Sequence, residues 1–214
     1  MGLKTNIDWL DELLWTELVK NEFGENAPKT RDQMLSKYKT IWNDVKASLE
    51  KEPGLGFARH AWMVFVGQKE KLATFAVRYH SYTGGPHGVG GNVYLTVDMT
   101  THKVLTLSDI IDQKKLPDVK DLLWRFYTDS GRIKDEDAFT KKTDFDVSKN
   151  FYLAHDGIHF IYDEYEIASY AEGEQDLVIS WGQLQLGNLL MPDFVKQKYY
   201  DFGYIAPYTI PVEE

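Results

Sequence analysis

Residues 151–162 read FYLAHDGIHFIY, and this stretch decides the fold. Two runs rich in aromatic and β-branched residues flank the dipeptide Asp156-Gly157. Asp-Gly is a favoured two-residue turn because a type I′ turn takes positive φ at both central positions. The stretch therefore predicts an antiparallel β-hairpin with Asp156 and Gly157 at its tip.

Further strand patterns lie on either side of this hairpin. Apolar residues alternate over 73–79 and 93–99, which predicts two strands, each with one buried face. Residues 100–103 form a predicted turn into a short strand at 104–105, and residues 177–181 predict a last strand.

Two amphipathic helices precede the strands. Apolar residues recur at three- and four-residue steps over Ile7–Lys20 and again after Thr30, where the pattern stops before Pro53. The first stripe comprises Trp9, Leu10, Leu13, Leu14 and Leu18, and the second comprises Met34, Tyr38, Ile41 or Trp42, Val45 and Leu49.

A further helix is embedded among the strands. Ser108 is the predicted cap of a helical turn at 109–112, and a longer helix follows over 116–126. Residues 129–144 are charged and lack apolar periodicity, which predicts an exposed connection. Together these elements describe an α+β fold, an antiparallel sheet with two N-terminal helices and one embedded helix packed against it.

The 214 residues contain no linker rich in Pro, Gly and Ser, which favours a single domain over 1–214. Within it we distinguish an N-terminal helical segment (1–55), a sheet and helix core (56–187) and an aromatic-rich C-terminal tail (188–214). A helical turn is predicted at 183–190, and the tail is expected to pack back on the body.

Composition excludes several classes of function. The formal net charge is −9 and the sequence pI is near 5.2, whereas nucleic-acid affinity comes largely from clustered Lys and Arg. The absence of cysteine excludes disulfides, thiolate metal sites and cysteine nucleophiles. Because the chain is acidic, we expect no nucleic-acid partner.

The N-terminal residues have no apolar core of the length that a signal peptide or membrane helix needs. We expect that a leader preceding Met1 has been removed. A lipid anchor on that leader would be the only connection to a membrane.

Two patterns resemble metal sites and fail in detail. His155 and His159 are four residues apart, but the intervening turn prevents the helical geometry of a zinc pair. Oxygen-bearing side chains alternate over 144–150, yet Lys149 stands where a calcium loop needs Gly and His155 where it needs a bidentate Glu. We expect no metal and no cofactor.

Acidic residues at Asp163, Glu164 and Glu166 could supply paired carboxylates for acid–base chemistry on sugars. In an extended segment, alternation would send neighbouring carboxylates to opposite sides. The alternative interpretation is a polar sheet edge, or a buried Glu that accepts hydrogen bonds from backbone amides.

The glycine-rich loop Gly84–Gly91 has no Lys and lies between two strand patterns, unlike a phosphate-binding loop. Its glycines permit a strained turn or the close approach of another backbone segment. His87 at its centre either fixes the loop by a hydrogen bond or contacts a ligand, and both interpretations stay open.

Four motifs in order resemble those of the RsiV-like domain family. They are residues 82–88 (YTGGPHG), 97–109 (VDMTTHKVLTLSD), 150–153 (NFYL) and 165–173 (YEIASYAEG). The resemblance covers a core of roughly 57–184, preceded by a helical segment similar to the family's companion region. Pro86 replaces a commoner Ala and should stiffen the loop, and His102 stands at a turn position where the family often has Gly.

The resemblance implies an α+β domain that acts outside the bacterial cytoplasmic membrane as a binding surface rather than a catalyst. Family settings include the external part of an anti-sigma factor that binds lysozyme, modules attached to peptidoglycan deacetylases, and lipoproteins. The matching motifs contain the residues that we expect to bind the ligand, which are Tyr82, Gly84, Gly85, His87, Tyr165, Glu166 and Tyr170.

The sequence thus favours a non-catalytic extracytoplasmic binding domain of the cell envelope, in the periplasm or at the cell surface. Its ligand would be a basic protein such as a lysozyme-like hydrolase, or a cell-wall glycan. One alternative is a hydrolase of cell-wall sugars that uses Glu164, Glu166 or His87. Another is a purely structural envelope module in which Tyr199, Tyr200 and Tyr204 pack the tail. The oligomeric state is not determined by the sequence.

Overall fold

The computed structural model describes residues 3–51, 56–129 and 138–196. The chain forms two compact units, the first comprising Met1–Val66 and Phe75–Val93 and the second Gly67–Thr74 and Tyr94–Glu214. Helices come first and antiparallel sheets follow, so the predicted α+β class is confirmed. The single-domain assignment stays a prediction.

Helix α1 (Asp8–Phe23) opens the first unit, and a 3₁₀ turn follows at Gly24–Asn26. Its buried residues are Leu10, Leu14, Leu18 and Val19. Three residues of the predicted stripe are therefore buried, whereas Trp9 and Leu13 are half-buried and Val19 was not predicted. At the N-terminal end, the carboxylate of Asp11 accepts hydrogen bonds of 2.7 Å from both the amide and the hydroxyl group of Thr5.

Helix α2 (Arg31–Lys51) has no fully buried residue. The stripe residues Met34, Tyr38, Ile41, Val45 and Leu49 are half-buried, whereas Trp42 is 61% exposed. Ile41, and not Trp42, therefore belongs to the apolar face of this helix.

The first sheet has four strands in the order β1-β2-β3-β4. They are β1 (Ala58–Lys69), β2 (Leu72–Tyr82), β3 (Val89–Asp98) and β4 (Lys103–Val104), and β1, β2 and β3 each belong in part to both units. Residues 72–77 and 95–98 are buried on both faces of their strands. The expectation of one buried face is therefore wrong over these parts.

The β3–β4 turn is present as predicted. His102 takes φ 59°, in agreement with the expectation from the family resemblance, which often has Gly at this turn position. The carboxylate of Asp98 is buried and accepts hydrogen bonds from the amides of Thr100 and Thr101 at 2.8 and 3.2 Å.

The second sheet contains β5 (Phe151–Leu153), β6 (Gly157–Tyr162) and β7 (Gln175–Ser180), all antiparallel. The hairpin is confirmed, but its turn differs from the prediction. The amide of Ala154 donates to the carbonyl of Gly157 at 2.9 Å, so His155 and Asp156 occupy the turn. Neither Asp156 nor Gly157 takes positive φ.

Gly157 serves a different purpose in this hairpin. A Cβ atom at this position would lie 2.1 Å from the carbonyl oxygen of Ile179. Glycine is therefore needed because strand β7 approaches closely, and not because of the turn conformation.

The second unit also contains α3 (Leu107–Ile110), α4 (Leu116–Asp129), α5 (Trp181–Leu186) and α6 (Pro192–Lys196). The predicted embedded helix is confirmed as α4. Thr106 caps α3 by a reciprocal capping box with Asp109, so the assignment of Ser108 as cap is wrong.

Residues 130–137, within the predicted exposed connection, lie outside the described residues. Residues 141–144 are exposed and Phe145 is buried. Phe194 of α6 is buried, whereas Tyr199, Tyr200 and Tyr204 of the tail lie outside the described residues.

The core of the second unit is rich in aromatic residues. The ring of Phe145 stacks on Tyr127 and Tyr162 at centroid distances of 6.1 and 5.5 Å, and Trp124 meets it edge-on at 5.3 Å. Over the described ranges, no helix is long and apolar enough to span a bilayer.

Candidate functional site

The glycine-rich loop connects β2 to β3 in the first unit. Gly84 and Gly85 take φ 86° and 113°, values that favour glycine. The hydroxyl group of Tyr82 donates to the carbonyl of Gly85 at 2.9 Å, and Nδ1 of His87 lies 3.1 Å from the carbonyl of Gly88. These local contacts stabilise the conformation of the loop.

Two other glycines of this loop allow close packing against β2. A Cβ atom on Gly88 would lie 2.6 Å from Nε2 of His80, and one on Gly90 would lie 2.9 Å from the carbonyl of Tyr79. The φ values and these close contacts therefore explain Gly84, Gly85, Gly88 and Gly90.

The segment Tyr165–Gly173 connects β6 to β7 in the second unit. Ile167 and Ala168 are buried, and the hydroxyl group of Tyr127 donates to the carbonyl of Ile167. The same hydroxyl group accepts a hydrogen bond from the amide of Phe139 at 3.1 Å. The hydroxyl group of Tyr127 therefore connects this segment to the aromatic core.

A reciprocal capping box shapes the second half of this segment. The carboxylate of Glu172 accepts hydrogen bonds from the amide and hydroxyl group of Ser169 at 2.9 and 2.7 Å, and residues 170–172 form a 3₁₀ turn. Gly173 ends the turn at φ 71°. These Ser169 hydrogen bonds lower the pKa of Glu172.

The outer surface of the segment carries a stacked aromatic pair. The rings of Tyr165 and Tyr170 lie 5.9 Å apart at 25°, and Tyr165 is 50% exposed. Tyr165 takes φ 68°, a conformation that costs a bulky residue free energy. We call Tyr165, Glu166, Tyr170 and Glu172 the acidic aromatic platform.

The carboxylates at the start of this segment lie in a tight turn. The amide of Glu166 donates to the carbonyl of Asp163 at 3.0 Å, and the amide of Asp163 donates to the Glu166 carboxylate at 3.0 Å. We expected an extended segment with neighbouring carboxylates on opposite sides. That expectation is wrong, because residues 163–166 form a turn.

Glu166 is exposed as a residue, yet partial burial of its carboxyl group raises its pKa. The charge of Asp163 acts in the same direction, and the hydrogen bond from the Asp163 amide opposes both. The glycine-rich loop belongs to the first unit and the acidic aromatic platform to the second, and each is described by itself.

A cluster that the sequence analysis missed lies on the second sheet. The imidazole of His159 lies between Asp156, 3.0 Å from Nε2, and Asp176, 2.9 Å from Nδ1. The ring of Tyr152 stacks on His159 at 4.4 Å, and its hydroxyl group lies 2.9 Å from Nδ1. Tyr94 stacks on the same tyrosine at 4.6 Å.

The two carboxylates favour the protonated form of His159. Burial alone lowers the pKa of His159, but hydrogen bonds and charges from Asp176 and Asp156 outweigh it and raise the pKa. His155, by contrast, has a side chain that is 95% exposed. Among the described residues, no group of three or more His, Cys, Asp or Glu side chains is arranged to hold a metal ion.

We call Tyr152, Asp156, His159 and Asp176 the His159 cluster. This cluster and the acidic aromatic platform lie in one stretch of strongly biased composition. Residues 150–195 contain no Lys or Arg and eight acidic residues, Asp156, Asp163, Glu164, Glu166, Glu172, Glu174, Asp176 and Asp193. The chain's net charge is −9, so the acidic excess is concentrated in this one stretch. This bias is the sequence feature that could have located both clusters.

The comparison with known proteins bears on this same part of the chain. Residues 106–182 match the family model described as "Protein of unknown function (DUF3298)". The DUF3298 match contains the platform and the His159 cluster, and the glycine-rich loop lies outside it. It supports a domain of unknown function and not the RsiV-like assignment. No curated protein matches the chain.

Two solved DUF3298 structures share the fold. A family member from Bacteroides fragilis matches with a TM-score of 0.70 and 22% identity over 92% of this chain and 84% of that chain. A DUF3298 family protein from Pseudomonas aeruginosa PAO1 matches with a TM-score of 0.67 and 19% identity over 90% and 84%. At these identities the likeness shows the fold alone.

Proposed function

We propose that this chain is a non-catalytic binding domain of the bacterial cell envelope, and that it acts outside the cytoplasmic membrane. Its ligand is a basic protein of the lysozyme-like hydrolase class. The observation that carries the proposal is the acidic aromatic platform, a segment held by internal hydrogen bonds that carries two stacked Tyr rings and the carboxylates of Glu166 and Glu172.

The chemistry of the platform suits Lys and Arg side chains of a partner. Cations are attracted both to the faces of Tyr rings and to carboxylates, and Tyr is enriched in binding hot spots. The acidic stretch 150–195 would steer a basic partner toward this surface. Strain at Tyr165 is also typical of residues held in place for a ligand.

The hydrolase alternative has less support. Glu166 accepts a hydrogen bond from its own turn, and His87 contacts the carbonyl of the next residue in its own loop. A cell-wall glycan is the second candidate ligand, because sugars also stack on exposed Tyr rings. Titrations with lysozyme and with peptidoglycan fragments distinguish the two ligands.

The test is calorimetric titration of the full chain with lysozyme at low and at physiological salt. We expect saturable binding that weakens as salt screens the charges. The double variant Glu166→Gln/Glu172→Gln should weaken binding by about fivefold or more, whereas the control Asp44→Asn/Glu50→Gln on the exposed face of α2 should not.

A parallel titration with soluble peptidoglycan fragments tests the glycan. Glycan binding that is lost in Tyr170→Ala and insensitive to salt would replace the protein ligand with a sugar. Failure to bind either ligand, or equal losses in both double variants, would refute the proposal.

A further inference from the structure

The first unit contains a cavity of about 440 Å³ formed by α1, α2 and β1. Small-molecule sites typically have volumes of about 300–1,000 Å³. Much of its wall is aromatic or apolar and includes Trp15, Phe23, Met34 and Trp62. We call it the Trp15 cavity.

An ion pair between a buried carboxylate and an exposed guanidinium forms the polar side of the Trp15 cavity. The Oε1 atom of Glu22 lies 2.5 Å from Nε of Arg59, and Nη2 of Arg59 donates to the Glu22 carbonyl at 3.1 Å. The Glu22 side chain is 6% exposed and that of Arg59 is 51% exposed. The carboxylate is thus neutralised inside the wall while the guanidinium reaches solvent.

Tyr38 completes this polar side. Burial and the charge of Glu22 raise the pKa of Tyr38 to about 12, so its hydroxyl group stays protonated and donates to Glu22. The five N–H groups of a guanidinium exceed the two contacts that Arg59 makes to Glu22. Arg59 therefore retains donors for an anionic group.

Two further cations lie over aromatic rings that line the cavity. Lys37 Nζ lies 4.8 Å from the centre of the Phe23 ring, and Arg31 Cζ lies 5.1 Å from that of Trp15. Trp15 also lines a second cavity of about 320 Å³, whose charged lining residues are Lys20 and Lys29. Among the described lining residues of the two cavities, Glu22 is the only carboxylate, whereas Arg59, Lys20 and Lys29 are cations.

We propose that the Trp15 cavity binds a single-chain acidic amphiphile, with the alkyl chain against the aromatic wall and the carboxylate or phosphate head toward Arg59 and Lys37. The apolar wall selects the chain and the local cations select an anionic head. This site lies in the first unit and does not depend on the function proposed for the acidic aromatic platform.

The test is titration of the full chain with decanoate, followed by calorimetry and tryptophan fluorescence below the micelle concentration. Decyltrimethylammonium serves as the probe with the same chain and the opposite charge. We expect saturable binding of decanoate and at least about tenfold weaker binding of the cation.

Matched variants locate the site. Lys37→Gln should weaken decanoate binding by about threefold, while Lys39→Gln, two residues away and exposed, should not. Trp15→Leu should weaken it by about fivefold or more, and Trp42→Leu, which lines neither cavity, should leave it unchanged. Thermal unfolding of each variant separates lost binding from lost structure, and Lys37→Gln keeps the test valid if Trp15→Leu unfolds.

Vesicles of phosphatidylglycerol distinguish a bilayer surface from a free amphiphile. Binding to vesicles without binding to dissolved decanoate would overturn the proposal. So would tighter binding of the cationic probe, or equal effects of Lys37→Gln and Lys39→Gln.

Discussion

The Nδ1 atom of His159 lies 2.9 Å from the Oδ2 atom of Asp176, so that an imidazole on β6 is tied to a carboxylate on β7. Ile161 is the register partner of Asp176, so the contact runs diagonally across the sheet. Asp156 in the hairpin turn holds the other ring nitrogen at 3.0 Å. One side chain therefore links the hairpin turn to the neighbouring strand.

The free energy of unfolding should depend on pH through His159. Its folded pKa is raised above 6.5, so its stabilising contribution is complete below that value and is lost as pH rises through the folded pKa. Compared with His159→Gln, the wild type should be more stable by about 1 kcal/mol at pH 6. This difference should shrink by pH 9, as measured by urea unfolding.

Since the His155 side chain is 95% exposed, His155→Gln is the control and should change the free energy of unfolding by less than about 0.5 kcal/mol. A difference between wild type and His159→Gln that is constant from pH 6 to pH 9 would show that the ring acts by packing alone.

Gly157→Ala should destabilise the second sheet by about 3 kcal/mol or prevent folding. The new Cβ atom would lie 2.1 Å from the backbone carbonyl of Ile179, which no side-chain movement can relieve. Gly182→Ala in α5 is the control, because a Cβ atom there meets nothing within 4 Å. It should be neutral or stabilising in thermal unfolding; equal losses at both positions would contradict the close approach.

At position 165, Gly should be more stable than Ala by about 1 kcal/mol. Tyr165 takes φ 68°, which a Cβ atom disfavours. The order should reverse at position 170, since Tyr170 lies in a 3₁₀ turn with ordinary φ, where Ala is favoured over Gly. Chemical unfolding of the four variants checks the prediction, and the same order at both positions would argue against strain at Tyr165.

Tyr127→Phe should lower the free energy of unfolding by about 1–3 kcal/mol. The hydroxyl group donates to the carbonyl of Ile167 and accepts from the amide of Phe139, so its removal leaves both backbone groups without this partner. The Phe139 amide should exchange faster with deuterium, and lysozyme binding at the platform should weaken. Unchanged exchange at Phe139 would indicate that the hydroxyl group is dispensable.

Local patterns predicted the elements that depend on neighbouring residues. The α1 stripe and the α4 helix follow from periodicity within one segment, and the 151–162 hairpin follows from two β-rich runs on either side of Asp-Gly. The positive φ of His102 was expected from the family resemblance. Strand β1 was missed because residues 61–66 (AWMVFV) are continuously apolar and show neither period.

Features that depend on distant residues could not be predicted in the same way. Asp176 meets His159 only because β7 pairs with β6 in one register, and Gly157 is required because of Ile179 on that strand. The motif residues Tyr165, Glu166 and Tyr170 do lie together on one surface segment. The strained φ of Tyr165 and the hydrogen bond from Tyr127 to the Ile167 carbonyl are seen only in the tertiary structure.

The stretch 150–195 also has a practical consequence for experiments. With no lysine in it, this stretch offers no ε-amine, so amine coupling to a sensor chip must occur at residues outside 150–195. Trypsin, which cuts after Lys and Arg, has no site between Lys149 and Lys196 and releases the hairpin, the platform and β7 as one peptide. Protection of that single peptide in a footprinting experiment would report on the whole proposed binding surface.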